Sequence, residues 1–413
     1  MKLLVTGASG FLGRHIVAQA VARGHDVRAQ VRPVSNIEAL GWEGHPNVEI
    51  VRADLRDKSV LDALVQGCDA VVSNAACKAG DFYTQFAGTV ITTENLLAAM
   101  ANTGVKRLVS VSTFSVYGFL KMGDGDLLDE NSPIDNDPID RDEYAQTKLV
   151  QEELAHGFAE EHGGKVTIIR PGVIYGRDNT WTARIGMELG ANRCLVVGGR
   201  TILPVTYVEN CANAIVLAAE NDQAIGETYN IVGDNLPTHR QYLNALNQYR
   251  EPRMKSLPMP WLVMRFVAAL ALGVNKLFLG RQAKIPSILR PAALHARCKP
   301  ASYTNKRIKD SVDWTPKFGL EESLKRSFDE HDFAALPPKD QADAAATVTD
   351  TDTTGSGDVD QETRLSSVRS RRCASRVCMC RPSRSANRLW RRTSARSSRP
   401  SATARGTSCR RRS

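Results

Sequence analysis

The chain is predicted to fold as a doubly wound α/β protein, a parallel sheet with helices on both faces. Three observations predict it. Short apolar runs recur as strands buried on both faces require: Leu3 to Thr6, Val27 to Val31, Val48 to Val51, Ala70 to Ser73 and Leu108 to Ser112. Helical spacing separates them at Phe11 to Ala22, Val60 to Val65 and Thr92 to Ala101. Glycines end the first strand and open the first helix. The alternation continues with a helix over Asp142 to Glu161, a strand at Val166 to Ile169, a helix over Val208 to Glu220 and a strand at Thr228 to Val232. An amphipathic helix at Glu321 to His331 closes the patterned part, and no internal repeat interrupts it.

Composition places this in a protein of 413 residues, 42% hydrophobic and 24% charged, as a soluble globular chain is. The net charge of +9 misleads. Sixteen arginines, with no lysine or acid, lie between Thr363 and Ser413; the rest holds 38 basic against 45 acidic residues, a net of −7. The body therefore excludes a nucleic-acid reading, and only the tail leaves one open. Cys68, Cys77, Cys194, Cys211 and Cys298 lack metal-ligand spacing and form no disulfide framework. No metal site is expected. Met1-Lys2-Leu3-Leu4-Val5 reaches Gly7 too soon for a signal peptide, so a cytoplasmic protein is expected.

Residues 1–335 are read as one unit, with 336–413 as a disordered low-complexity tail that buries too little to offset chain entropy. The arginine-rich end fits either a true disordered tail or an out-of-frame extension. Leu257 to Leu279 is strongly apolar but interrupted by Arg265 and Lys276, which argues against a spanning helix. It reads as a buried or lid-forming helix; peripheral contact with a membrane interface is the alternative, and would make the protein membrane-associated.

Thr6-Gly7-Ala8-Ser9-Gly10-Phe11-Leu12-Gly13 follows the first strand. Gly7 permits the tight turn, Gly10 the approach of a pyrophosphate, and Gly13 close packing of helix on sheet. Amides near Phe11 and Leu12 then face the phosphates. This is the Rossmann arrangement for a dinucleotide, and residues 1–180 are its main binding part. An acid ending the second strand would bind the ribose of NAD; here the stretch is Arg28-Ala29-Gln30-Val31-Arg32. Arg32 is placed to receive a 2′-phosphate, so NADP(H) is favoured over NAD(H). Asp54, followed by Leu55, is read as an acceptor for the adenine amino group or as a helix N-cap. Asn74 and Ala75 are small residues where a cofactor passes close to the backbone.

Tyr and Lys four apart on a helix share a face, and the ammonium favours the phenolate. Such a tyrosine can exchange a proton with an alcohol or ketone. The spacing occurs twice, at Tyr117/Lys121 and Tyr144/Lys148. Gly118 and Met122-Gly123-Asp124-Gly125 make the first a loop, so Tyr144/Lys148 is the pair with helical geometry. Ser112, Thr113 or Ser115, after the fifth strand, could donate to the substrate oxygen.

Up to about Glu330 the chain resembles the extended short-chain dehydrogenase/reductase family, including its epimerase/dehydratase members. Its motifs match Thr6 to Gly13, Ser112 to Gly118, Tyr144/Lys148 and Arg170 to Gly176. The resemblance implies Thr113 as the catalytic hydroxyl, Lys148 on the nicotinamide ribose, and Pro171 and Val173 beside the nicotinamide. It implies a homodimer and a smaller substrate-binding part over 181–335. One departure is Thr89-Val90-Ile91-Thr92-Thr93-Glu94-Asn95, with Thr where the family has Asn and Gly. The Arg28 to Arg32 stretch is similar to the dihydroflavonol-reductase branch. Tyr207-Val208-Glu209-Asn210 and the apolar segment are similar to the 3β-hydroxysteroid dehydrogenase branch.

The expected function is hydride transfer at a secondary alcohol or ketone of a sterol-like or other apolar small molecule. The alternative is a sugar-nucleotide epimerase or dehydratase using the same residues. A non-enzymatic module that binds RNA or anionic surfaces through its tail is a third reading, against which the intact trio argues.

Overall fold

Alternate residues of the first strand, β1 (Lys2–Val5), are buried on opposite faces: Leu3 and Val5 enter one core and Leu4 another. That double burial is why the run is continuously apolar. β1 joins β2 (Asp26–Val31), β3 (Val48–Arg52), β4 (Ala70–Ser73), β5 (Arg107–Val111), β6 (Lys165–Pro171) and β7 (Thr228–Ile231) in one sheet. Its order is β7-β6-β5-β4-β1-β2-β3, and every pair is parallel. The order reverses between β1 and β4, which opens a crevice at their carboxyl ends. A computed structural model describes residues 1–135, 141–182, 184–190, 192–278 and 289–336.

The first core packs α1 (Phe11–Ala22) and α5 (Val208–Glu220) on one face of the sheet. The second packs α2 (Leu61–Val65), α3 (Thr92–Thr103) and α4 (Glu143–His162) on the other, through Leu61, Leu96, Met100, Ala155 and Phe158. Asp142 precedes α4 as its N-cap, accepting from the Ala145 amide at 2.9 Å. The expected terminal helix is shorter than its pattern: it spans Leu320–Ser327 and stops before Phe328.

Beyond the main sheet, Met187–Gly190, Arg193–Val197 and Lys255–Met259 form a three-stranded sheet, and Val173–Tyr175 pairs with Val205–Tyr207. These short strands escaped the sequence reading. The apolar segment divides at Pro260: Leu257 lies in a strand, and α6 (Trp261–Phe278) follows. Trp261, Met264 and Ala268 pack inward with α7 (Pro291–Cys298), but Leu262, Phe266 and Leu270 face outward. The buried reading therefore holds for one face only. No described helix is long and apolar enough to cross a membrane. The expected disordered tail lies outside the described residues from 337 onward.

Candidate active site

The glycine loop sits at the reversal of strand order, between β1 and α1. Gly7 has φ +62°, and a Cβ there would meet Ala75 Cα at 3.0 Å. A Cβ on Gly13 would run into the carbonyl oxygen of Gly7, so the helix can lie this close only with glycine. The Gly7 amide donates to Gln30 Oε1 at 2.8 Å, and Gln30 Nε2 donates to Ala53 O at 2.7 Å. Thr6 Oγ1 accepts from the Asn74 and Ala75 amides at 3.0 and 3.1 Å, locking the loop to the end of β4. Gly10 is exposed, no side chain caps α1, and no acid occupies its first turn. Donors at Phe11, Leu12 and Gly13 with this positive helix end fit a dinucleotide diphosphate.

Arg32 is exposed just past β2. Arg52 donates to Pro33 O at 3.1 Å and to Ser35 O at 2.9 Å, and the Ser9 and Ser35 hydroxyls meet at 3.3 Å. Asp54 is held by the Arg56 guanidinium, which pulls its carboxyl below the usual range. It is not the N-cap that was one reading of it. Asp57 caps the following turn through the Ser59 amide, three residues later. Leu55 is buried, and its carbonyl accepts from Asn95 Nδ2 at 3.1 Å.

Thr113 lies just beyond β5 in extended conformation, accepting from the Ser115 amide at 3.2 Å. Tyr144 stands in the first turn of α4, with Thr113 as the side chain that favours its phenolate. Lys148, one turn on, is buried and donates to Val111 O at 2.8 Å and Gln151 Oε1 at 2.7 Å. Its Nζ lies 5.9 Å from the centre of the Tyr144 ring. The structure thus brings Thr113, Tyr144 and Lys148 together at the carboxyl edge of the sheet. The spacing predicts a lowered phenol pKa; burial instead pushes Tyr144 up, partly offset by Thr113. Burial, with a contribution from the charge of Lys78, brings Lys148 down to about 7.

Pro171 ends β6, buried, and the Val173 amide donates to Pro204 O at 2.7 Å. Thr89, which stands where the family has Asn, accepts from the Cys77 amide at 3.0 Å and so anchors the loop after β4.

The sequence reading missed an ion pair, although it had Arg170 in a motif, and two further residues. Glu152 and Arg170 form a buried two-pronged ion pair, at 2.9 and 2.7 Å, which pins α4 to β6. Gln151 receives Lys148. Lys78 projects its Nζ to 6.0 Å from the Tyr144 ring centre. For Glu152 the available signal was its place four residues after Lys148, on the same helix face. No local signal marks Lys78.

Sheet order, glycine loop and loop-to-helix geometry define a dinucleotide-binding chain of the extended short-chain dehydrogenase/reductase type. Residues 3–232 match the model of the NAD dependent epimerase/dehydratase family, and the chain belongs to that family. It is 31% identical over 232 residues to a 3-beta-hydroxysteroid dehydrogenase of Mycolicibacterium neoaurum, covering 53% of this chain and 61% of that protein. It is 30% identical over 344 residues to a 2-alkyl-3-oxoalkanoate reductase of Stenotrophomonas maltophilia, covering 79% and 98%. The fold is similar to that of UDP-glucuronic acid 4-epimerase from Bacillus cereus, solved with NAD, with TM-score 0.59 and 21% identity over 79% of this chain and 97% of that one.

Proposed function

We propose that the chain is an NADP(H)-linked oxidoreductase that interconverts a secondary alcohol and a ketone on an apolar small molecule. The convergence of Thr113, Tyr144 and Lys148 beside the glycine loop carries this reading. The names of the two relatives above, a hydroxysteroid dehydrogenase and an oxoalkanoate reductase, support this reading.

When bound, the nicotinamide supplies or accepts hydride. The Phe11, Leu12 and Gly13 amides would hold its diphosphate, Asn74 and Ala75 would line its passage, and Pro171 and Val173 would flank the nicotinamide end. Asp54 and Leu55 lie on the adenine side. Thr113 donates to the substrate oxygen and fixes its position. Tyr144 gives that oxygen a proton in reduction and takes it back in oxidation. Lys148 holds the ribose, and its charge favours the phenolate against burial.

Arg32 takes the 2′-phosphate in this reading, because no acid ends β2 to accept from a free 2′-OH. Titration with both cofactors should show tighter binding of NADP(H), and Arg32→Ala should weaken it about tenfold, the scale of one charge-assisted pair, while leaving NAD(H) nearly unchanged. A preference for NAD(H) that the substitution does not alter would overturn the assignment. Turnover of a ketone panel should change absorbance at 340 nm in proportion to product. Product formed without net cofactor change would favour the epimerase reading.

A further inference from the structure

We propose that α6 docks on an anionic lipid bilayer, its outer face entering the boundary between headgroups and acyl chains. At 100° per residue, Trp261, Met264, Ala268 and Asn275 fall on one side of the helix, and all are buried. Leu262, Val263, Phe266, Val267, Leu270 and Val274 fall on the opposite side, and all are exposed, Leu262 at 70% and Phe266 at 69%. Seven of the seventeen large apolar side chains exposed among the described residues lie between Leu257 and Val274. A helix apolar on two opposite faces has one face more than its own fold uses.

Charge identifies the partner. From Pro252 to Lys309 the chain has no Asp or Glu and twelve Lys and Arg, within a body that is otherwise net acidic. Arg253, Lys255 and Arg265 are exposed around the start of the helix. An apolar stripe on a segment whose own charges are all cations, with Asp124 the acid paired to Arg265 at its start, fits an interface of acyl chains and lipid phosphates. A second copy fits less well, because a twofold contact would set this cationic segment against itself. Docking would also be felt near the site. Trp261 Nε1 donates to Asp124 at 3.0 Å, and Arg265 and Lys299 approach the same carboxylate at 3.5 and 3.8 Å. Asp124 lies on the segment that continues from Thr113 and Tyr117.

The test is flotation of the full chain with vesicles of phosphatidylcholine alone or with about 30% phosphatidylglycerol. Binding to the anionic vesicles is expected, about tenfold weaker to neutral ones and weaker again at high salt. Phe266→Asp/Leu270→Asp should cut flotation at least about tenfold with circular dichroism and cofactor binding unchanged. Arg253→Gln/Lys255→Gln, off the apolar face, should cut it a few-fold. Both variants keep the arginine-rich stretch after Thr363, so equal flotation of variant and parent would place binding in the tail and overturn the proposal. Absence of flotation would overturn it too. So would light scattering that shows a dimer broken by Phe266→Asp/Leu270→Asp without any flotation.

Discussion

Tyr117 and Lys121 stand four residues apart, as Tyr144 and Lys148 do, yet the fold treats the two pairs in opposite ways. Tyr117 is fully buried; its hydroxyl donates to Asn230 Oδ1 at 2.7 Å and accepts from Arg170 Nη1 at 3.2 Å. Burial raises that phenol to about 12. Lys121 is exposed and turns away to the Ile134 carbonyl. Tyr144 is only half-buried and has the Nζ of two lysines about 6 Å from its ring centre. Helix continuity makes the difference. In α4 the lysine must return to the tyrosine's face, whereas after Tyr117 the chain passes Gly118 and forms a separate short turn. The spacing is a site only where the backbone between the two residues is helical.

The comparison breaks most visibly in two single substitutions. Tyr144→Phe should lower kcat by about three orders of magnitude or more, with the melting temperature nearly unchanged. Tyr117→Phe should leave kcat within a few-fold of the parent but destabilise the fold by about 1–3 kcal/mol, since Asn230 and Arg170 each lose a buried partner. Steady-state turnover at 340 nm beside thermal melts measures both. The reverse pattern, activity lost at Tyr117 and kept at Tyr144, would exchange the assigned roles.

Between the pairs lies the ion pair that holds them in register. Glu152 accepts from both Arg170 and Ser112, so α4, β6 and the end of β5 meet on one carboxylate. Glu152→Gln would leave a buried guanidinium without its counter-charge, at a cost of about 3–5 kcal/mol. Chemical unfolding should show this as a lower midpoint with an unchanged slope. A variant as stable as the parent would mean that Arg170 finds compensation elsewhere.

How much was legible beforehand follows the same division. β1, α1, β4 and α5 could be bounded from the sequence because their apolar periods are long or uninterrupted and glycine or charge marks their ends. Thr113, Tyr144 and Lys148 could be named because they sit in local patterns. Glu152–Arg170, Gln30–Gly7 and Lys78–Tyr144 join residues far apart in the chain or on different elements. A single sequence carries no trace of such pairings. The three-stranded sheet was hidden for another reason: its strands are short, and the two that flank Arg193–Val197 are exposed at nearly every position, so no face repeats along them. The outward face of α6 was visible as hydrophobicity, but the sequence could not say that only one side had been covered.

The smallest effect sharpens what Lys148 contributes. Its ammonium is held at about 7 in the fold, against 10.5 for a free lysine. Below pH 7 the buried group is charged, and the fold bears the full desolvation cost. Between 7 and 10.5 the folded protein has released a proton that the unfolded chain keeps, so this cost fades as pH rises; above 10.5 it is gone. Lys148→Met removes the cost and also the bonds to Val111 and Gln151. Its stability relative to the parent should therefore be greatest below pH 7, by no more than about 5 kcal/mol, and should decline through the window to 10.5. Paired melts at pH 6, 8 and 10 measure the difference while titrations common to both proteins cancel. A difference independent of pH would show Lys148 to be charged in the fold throughout, its ammonium satisfied by Val111, Gln151 and Glu152. The Tyr144 phenol would then sit beside a full positive charge at every pH at which the enzyme works, and the expected lowering of its pKa would be restored.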